Sequence, residues 1–339
     1  MKSVVKALQA AFGPNVILGT DIAARNHADA AGLAPTPPLA LVLPRNTAEV
    51  ATILRICHEH QQPVVTQGGL TGLAGGAHPR EGEVALSLER LNGVEEIDIA
   101  SATLTALAGT PLAVVQQAAE DAGFVCGIDL GARGTCTIGG NIATNAGGNK
   151  VLRYGMARHN TLGLEVVLAD GTVVCSLNKM LKNNAGYDWT QLFIGSEGTL
   201  GVVTRVVLSL HPKPAGIQTA LCAVSSFEDA LSVLHGFERA HPGRLLVFEA
   251  MWSEFMTVAI ETYGLPPPFE SKHELAILIE ADVGDEATGA EAFAQFLGEQ
   301  YECKLLKDAV VAQSRQDRNR MWAYRESPYE YSRYFPQEL

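Results

Sequence analysis

Ile128-Asp-Leu-Gly-Ala-Arg-Gly-Thr-Cys-Thr-Ile-Gly-Gly-Asn-Ile-Ala-Thr-Asn-Ala-Gly-Gly148 is the stretch on which the fold turns. Its glycines let the backbone lie against something flat or narrow. Between them Thr135, Thr137, Asn141 and Asn145 supply hydrogen-bonding groups. Tight turns in a crowded core would account for the glycines, but less well for the hydroxyls and amides interleaved with them. Periodicity is weak, so 127–148 reads as loop and turn with one short helical turn.

Two further glycine-rich segments flank it. Thr66-Gln-Gly-Gly-Leu-Thr-Gly-Leu-Ala-Gly-Gly-Ala77 runs straight out of a strand at Val64–Gln67. A strand at Ala40–Leu43 and a helix at Ala48–His60, capped from Asn46-Thr47, complete a βαβ-like unit. A loop at the carboxyl end of such a strand is a common place for ligands, and its successive N–H groups make a concave site for a pyrophosphate. The loop has no lysine, so it is not a P-loop, and Leu70 stands where GxGxxG needs its second glycine. The third segment is Asn184–Asp188 with Leu192–Thr204. Its Gly195-Ser196-Glu197-Gly198 invites comparison with a hydrolase elbow, but GxSxG needs glycine at 194, where Ile194 sits.

Elsewhere the pattern is regular. Short strands are expected between Glu83 and Ala108 around a turn at Asn92-Gly93, then a helix from Pro111 to Ala122 ended by Gly123. Leu162–Leu168 and Thr172–Ser176 form a hairpin about Asp170-Gly171, Gly201–Leu210 is a strand, and 211–215 reads as a linker. Beyond it the strands Thr219–Val224, Arg244–Glu249, Leu275–Glu280 and Glu302–Lys307 alternate with helices Ser226–Ala240, Ser253–Tyr263, Glu286–Glu299 and Ala312–Glu326. At 339 residues the chain exceeds one compact core. Its 25 basic and 37 acidic residues give a net charge of −12. That balance repels phosphate backbones and anionic bilayers, so no nucleic-acid partner is expected. The six scattered cysteines, with no CxxC pair, suit reduced thiols in a cytoplasmic protein. No run of 18 apolar residues is present for a transmembrane segment, and the first residues read as an amphipathic helix rather than a signal peptide.

The segments "TIGGNIATNAGG" (137–148), "RYG" (153–155), "LGLEVVLADGTV" (162–173), "NNAGYD" (183–188) and "LFIGSEGTLGVVT" (192–204) follow one another in register. Together they resemble the FAD-binding domain of the vanillyl-alcohol oxidase and p-cresol methylhydroxylase superfamily. The likeness is to its D-2-hydroxy-acid dehydrogenase branch, that of D-2-hydroxyglutarate dehydrogenase, D-lactate dehydrogenase and the glycolate oxidase FAD subunit. It runs from about Pro35 to Pro214 and continues more weakly to the end. The fold implied is α+β. An N-terminal helix and lead-in (1–35) precede a two-subdomain FAD-binding domain (36–214). An α+β cap or substrate domain (215–339) follows, incomplete at its C-terminal end.

The resemblance also assigns roles. Gln67, Gly68, Gly69, Leu70, Thr71 and Gly72 correspond to the loop that wraps the FAD pyrophosphate. Gly131, Thr137, Ile138, Gly139, Gly140, Ala143, Thr144, Asn145 and Ala146 correspond to the stretch beside the isoalloxazine and phosphates. Gly201 and Val203 correspond to the strand whose backbone meets adenine. Many members attach flavin covalently through a histidine in the first loop; Leu70 occupies that place, which implies non-covalent FAD. Arg325, in Met321-Trp-Ala-Tyr-Arg-Glu326, matches the arginine that binds the substrate carboxylate, a task suited to a permanently charged bidentate fork. From spacing alone it would be an ordinary arginine on a helix end.

The expected reaction is oxidation of a D-2-hydroxy acid, 2-hydroxyglutarate-like, with D-lactate or glycolate oxidation as the alternative. A non-catalytic FAD-binding fragment is the alternative of another class. Relatives carry two histidines and a glutamate for a divalent metal, zinc or manganese, well downstream of the arginine. That metal is expected only together with such a segment, and no catalytic residue is named. His58 and His60 lie two apart on a helix, on different faces, and read as a solvated helix end. A separate electron acceptor and a homodimer complete the expectations.

Overall fold

A computed structural model of the chain describes residues 3–326. They form two compact units. One comprises the residues up to 148 together with 155–213; the other comprises 149–154 together with the chain from 214 onward. Both crossings of the short excursion use glycine in the left-handed region, Gly148 at φ 100° and Gly155 at φ 72°.

The first unit opens with helix α1 (Ser3–Phe12) and strands β1 (Val16–Ile17) and β2 (Ala40–Val42). Helix α2 (Thr47–Glu59) follows, with the Asn46 side chain accepting from the Glu49 N–H as its N-cap. Strands β3 (Val64–Gln67) and β4 (Val84–Ser87) complete a sheet of order β1-β2-β4-β3, parallel except for β1. Every residue of β4 is buried, as a central parallel strand covered on both faces requires.

A second, antiparallel sheet takes β5 (Val94–Asp98), β6 (Thr103–Leu107), β7 (Phe124–Cys126), β8 (Thr161–Val167), β9 (Val173–Ser176) and β10 (Val202–Pro212). Its order is β5-β6-β10-β8-β9, with β7 on the far end of β10. Four helices belong to this part of the chain: α3 (Leu112–Asp121), α4 (Ile138–Ala143), then α6 (Ala157–Asn160) and α7 (Thr190–Phe193) after the α5 turn (Val151–Tyr154) of the second unit. One apolar core, including Val42, Ile53, Leu86, Leu104, Ile138, Leu164 and Val206, runs through both sheets.

The second unit is a four-stranded antiparallel sheet of order β12-β13-β11-β14. Its strands are β11 (Ile217–Val224), β12 (Leu245–Trp252), β13 (Leu275–Asp282) and β14 (Leu306–Val311). Helices α8 (Phe227–Ala240) and α10 (Glu286–Glu302) contribute Phe237, Phe293 and Phe296 to one apolar cluster. Helices α9 (Ser253–Glu261) and α11 (Arg315–Glu326) contribute Met256, Met321 and Tyr324 to another. Residues alternating along β13 divide between the two, Ile277 and Ile279 to the first and Ala276 and Leu278 to the second.

Three expectations are corrected. Asn92-Gly93 is not a hairpin turn: β4 and β5 lie in different sheets, and Gly93 is held on the crossover by its N–H donating to Thr110 Oγ1. The β5–β6 turn lies at 99–102 instead, where the Asp98 carboxylate accepts from the Ala100 and Ser101 N–H groups. The 211–215 linker is partly strand, because Leu210–Pro212 pair with β7. Glu302–Lys307 is largely not strand: α10 continues to Glu302, Lys304 turns at φ 64°, and pairing starts only at Leu306.

Candidate functional site

Gln67 closes β3 with its side chain wholly buried. Its amide nitrogen donates to the Asn26 and Ala77 carbonyls at 3.0 and 3.2 Å, and its amide oxygen accepts from Asn26 Nδ2 at 2.9 Å. The Ala77 N–H donates to Asp29 Oδ2. Gln67 thereby pins the base and the far end of the loop at once, and its side chain is spent on that network.

The loop lies on the central segment. A β-carbon at Gly68 would stand 2.5 Å from Thr137 Oγ1, and one at Gly69 only 2.1 Å from the Thr135 carbonyl oxygen. At Gly72 a β-carbon would meet nothing within 4 Å. Leu70 and Thr71, between them, are half-buried. The turn containing Gly131 leads to Thr137, and α4 is suspended from the end of β6. There the Ile138 N–H donates to the Thr110 carbonyl and the Gly139 N–H to the Ala108 carbonyl, at 2.9 and 2.8 Å.

The third segment joins from the other side. Gly195 and Glu197 donate their N–H groups to the carbonyls of Ile142 and Ala143 at 3.1 and 2.8 Å. Thr144 returns its hydroxyl to the Gly140 carbonyl, and the Ala146 N–H donates to the Asn141 carbonyl. Three segments far apart in sequence thus form one surface.

Of the six described non-glycine residues with positive φ, three fall on that surface. Leu70 (φ 59°), Asn145 (φ 47°) and Glu197 (φ 52°), one from each segment, are non-glycine residues in the left-handed region. Such conformations persist where the surroundings over-determine them, and they cluster at ligand clamps. Arg158 is one cause. Its N–H donates to Asn145 Oδ1, and its guanidinium donates to the backbone and side-chain oxygens of Gln191 at 2.8 Å and to the Ile194 carbonyl. Sequence reasoning singled out neither Arg158 nor Asn26, since no local spacing announces a clip between distant segments.

Gly201 and Val203 are both buried at the start of β10. Val203 pairs with Val166, whereas β6 reaches only to Arg205, so Val202–Val203 are paired in the sheet from one side. Thr204 forms a bulge at this point; its hydroxyl donates to the Glu165 carboxylate, and its carbonyl accepts from the Ala108 N–H.

The surface fits a flat, anionic cofactor. Thr137 Oγ1 and Asn141 Nδ2 are buried and lack a hydrogen-bond partner among the described residues. Buried polar atoms ordinarily find partners, so an orphan pair beside a glycine-lined surface points to a ligand. Burial pushes the Cys136 thiol up. Leu70 offers no nucleophilic atom for a covalent flavin bond.

In the second unit, Arg325 lies in the last turn of α11 and donates from Nε to Glu249 Oε2 at 2.6 Å. It is half-buried, not a freely solvated helix end. Arg318, two turns earlier, engages the fully buried Glu280 with Nε and Nη2, both at 2.7 Å. Among the described residues no three or more His, Cys, Asp or Glu side chains gather in a way that could hold a metal. His58 and His60 are exposed at the end of α2. No helix among the described residues is long and apolar enough to cross a membrane.

Comparison with known proteins places two families along the chain. Residues 38–176 match the FAD binding domain family, and residues 213–337 match the C-terminal domain of the FAD linked oxidases. The mitochondrial D-2-hydroxyglutarate dehydrogenase of Bos taurus is 42% identical over 287 residues, covering 84% of this chain and 52% of that protein. D-2-hydroxyglutarate dehydrogenase of Xanthomonas citri pv. viticola is 40% identical over 289 residues, covering 85% and 60%. The chain therefore spans between half and three fifths of the length of these relatives. A solved structure of p-cresol methylhydroxylase with substrate bound superposes with a TM-score of 0.74 at 16% identity, covering 94% of this chain and 68% of that one. The chain therefore carries an FAD binding domain over 38–176 followed by the C-terminal domain of the FAD linked oxidases over 213–337, and it shares the fold of p-cresol methylhydroxylase.

Proposed function

We propose that this protein oxidises a D-2-hydroxy acid of the 2-hydroxyglutarate type to the 2-oxo acid, using dissociable FAD. The observation that carries the proposal is the meeting of Gly68–Gly69, Thr137–Gly140 and the 195–197 turn on one surface, with Thr137 Oγ1 and Asn141 Nδ2 as orphan buried polar atoms. When bound there, FAD supplies a two-electron acceptor for the hydride leaving C2 of the acid.

The chain's own residues bind and orient. Gly68 to Gly72 present backbone N–H groups to a pyrophosphate, with Gln67 fixing the loop from behind. Gly131, Thr137 to Gly140 and Ala143 to Ala146 line the remainder of the cofactor, and Gly201 and Val203 offer backbone to adenine. Arg325 clamps the substrate carboxylate bidentately. A separate electron acceptor re-oxidises the protein. The free cysteines suit a reducing compartment, which we take to be the cytosol. A homodimer remains part of the proposal.

The test is anaerobic addition of D-2-hydroxyglutarate to the FAD-reconstituted chain. Bleaching of the yellow absorbance is expected. Colour without bleaching by this acid, D-lactate or glycolate would overturn the catalytic reading, and absence of colour would overturn the cofactor assignment. Arg325→Ala should weaken the acid's binding and leave flavin content intact.

A further inference from the structure

Arg318, Trp322 and Arg325 recur at i, i+4 and i+7 along α11, which places them on one face. The sheet beneath carries two carboxylates on the matching side. Glu249 on β12 stands opposite Leu278 on β13, and Leu278 and Glu280, two residues apart, point to the same face.

The two arginine–glutamate pairs differ in kind. Glu280 is fully buried and holds Arg318 through two guanidinium nitrogens. It also accepts from Trp322 Nε1 and from Thr219 Oγ1, both at 3.0 Å. That closed network anchors the helix. Glu249 and Arg325 are each partly exposed, with side-chain exposures of 21% and 26%, and they meet through Nε. Nε lies on the stem side of the guanidinium, so holding it sets the azimuth of the fork, and a second carboxylate then meets the Nη edge.

We propose that Glu249 is a positioning residue for Arg325, turning the guanidinium so that its Nη edge receives the carboxylate of the 2-hydroxy acid. This rests on the reading of Arg325 as the carboxylate clamp. The rival role, a latch that the substrate must displace, has the opposite sign: removing a competitor would tighten binding. A purely structural ion pair would change melting temperature alone.

The experiment uses the full FAD-loaded chain and measures the Kd of 2-oxoglutarate by calorimetry, with KM and kcat for D-2-hydroxyglutarate alongside. Glu249→Ala should raise Kd and KM about tenfold with kcat and flavin content nearly unchanged, the scale of one charge-assisted hydrogen bond. Glu249→Gln, whose amide oxygen still accepts from Nε, should stay within about threefold of wild type. If Glu249→Ala does not fold, Glu249→Met keeps the stem without the acceptor and carries the same expectation. Unchanged or tightened binding in the Ala or Met variant overturns the proposal, as does failure of both to fold while Glu249→Gln folds. If wild type and Arg325→Ala bind 2-oxoglutarate equally, the carboxylate clamp itself fails, and that result is separate from the behaviour of Glu249.

Discussion

Replacing Gly69 by alanine should damage the first unit before any cofactor is present. The added β-carbon would stand 2.1 Å from the Thr135 carbonyl oxygen and 2.7 Å from the Cys136 α-carbon, both backbone atoms that cannot rotate aside. Restoring ordinary carbon–oxygen contact requires the 67–72 loop and the 135–137 segment to part by about 1 Å, since close-packed interiors do not absorb an extra methyl. Overpacking of this kind costs about 2 kcal/mol, which for a unit of this size lowers Tm by about 4–8 °C. Gly72→Ala is the matched control, because its β-carbon would enter open space. The expected result in calorimetry of the apo-protein is a clear drop for Gly69→Ala and none for Gly72→Ala. Flavin titration should then show weakened binding in both, since the space beside Gly72 is where a phosphate would lie. An apo-protein Tm for Gly69→Ala equal to wild type would refute the claim that the two segments are in backbone contact.

Two other outcomes follow from buried groups. Arg318→Ala leaves the Glu280 carboxylate buried with only Thr219 and Trp322 as donors, and urea unfolding should show a loss of about 3 kcal/mol, the low end for a broken buried pair because Arg318 is partly exposed. Burial pushes the Cys57 thiol to about 11. A raised thiol pKa means the folded state keeps a proton that the unfolded chain loses first. Stability is therefore whole below about pH 9 and declines as pH rises toward 11. The urea midpoint of wild type should fall more steeply over that interval than that of Cys57→Ala; parallel curves would remove burial of this thiol as the cause.

The parts of the fold legible in the sequence were those with local signals. Val64–Gln67 and the Asn46 cap of α2 fall where expected, because a short apolar run and a capping side chain act on their immediate neighbours. The glycine segments were grouped by the family resemblance through their order along the chain, and the structure brings them onto one surface. The partners that hold them were not. Asn26 reaches Gln67 across 41 positions and Arg158 reaches Ile194 across 36, and no periodicity encodes such pairings. Glu249, 76 residues before Arg325, was read only as the end of a strand. Asn92-Gly93 misled for a related reason: its turn chemistry is genuine, but the strands on either side belong to different sheets.

The excursion of 149–154 into the second unit has a consequence for the order of assembly. The Val151–Tyr154 turn packs on β12, whose first residue is Leu245. During synthesis this turn must wait for some ninety further residues before its partner strand exists, held meanwhile at both ends by the first unit. A severed polypeptide beginning at 214 would lack the turn altogether, and β12 would be left uncovered where it belongs. The two units are thus interleaved along the chain, and neither can be inherited, excised or exchanged as an uninterrupted block.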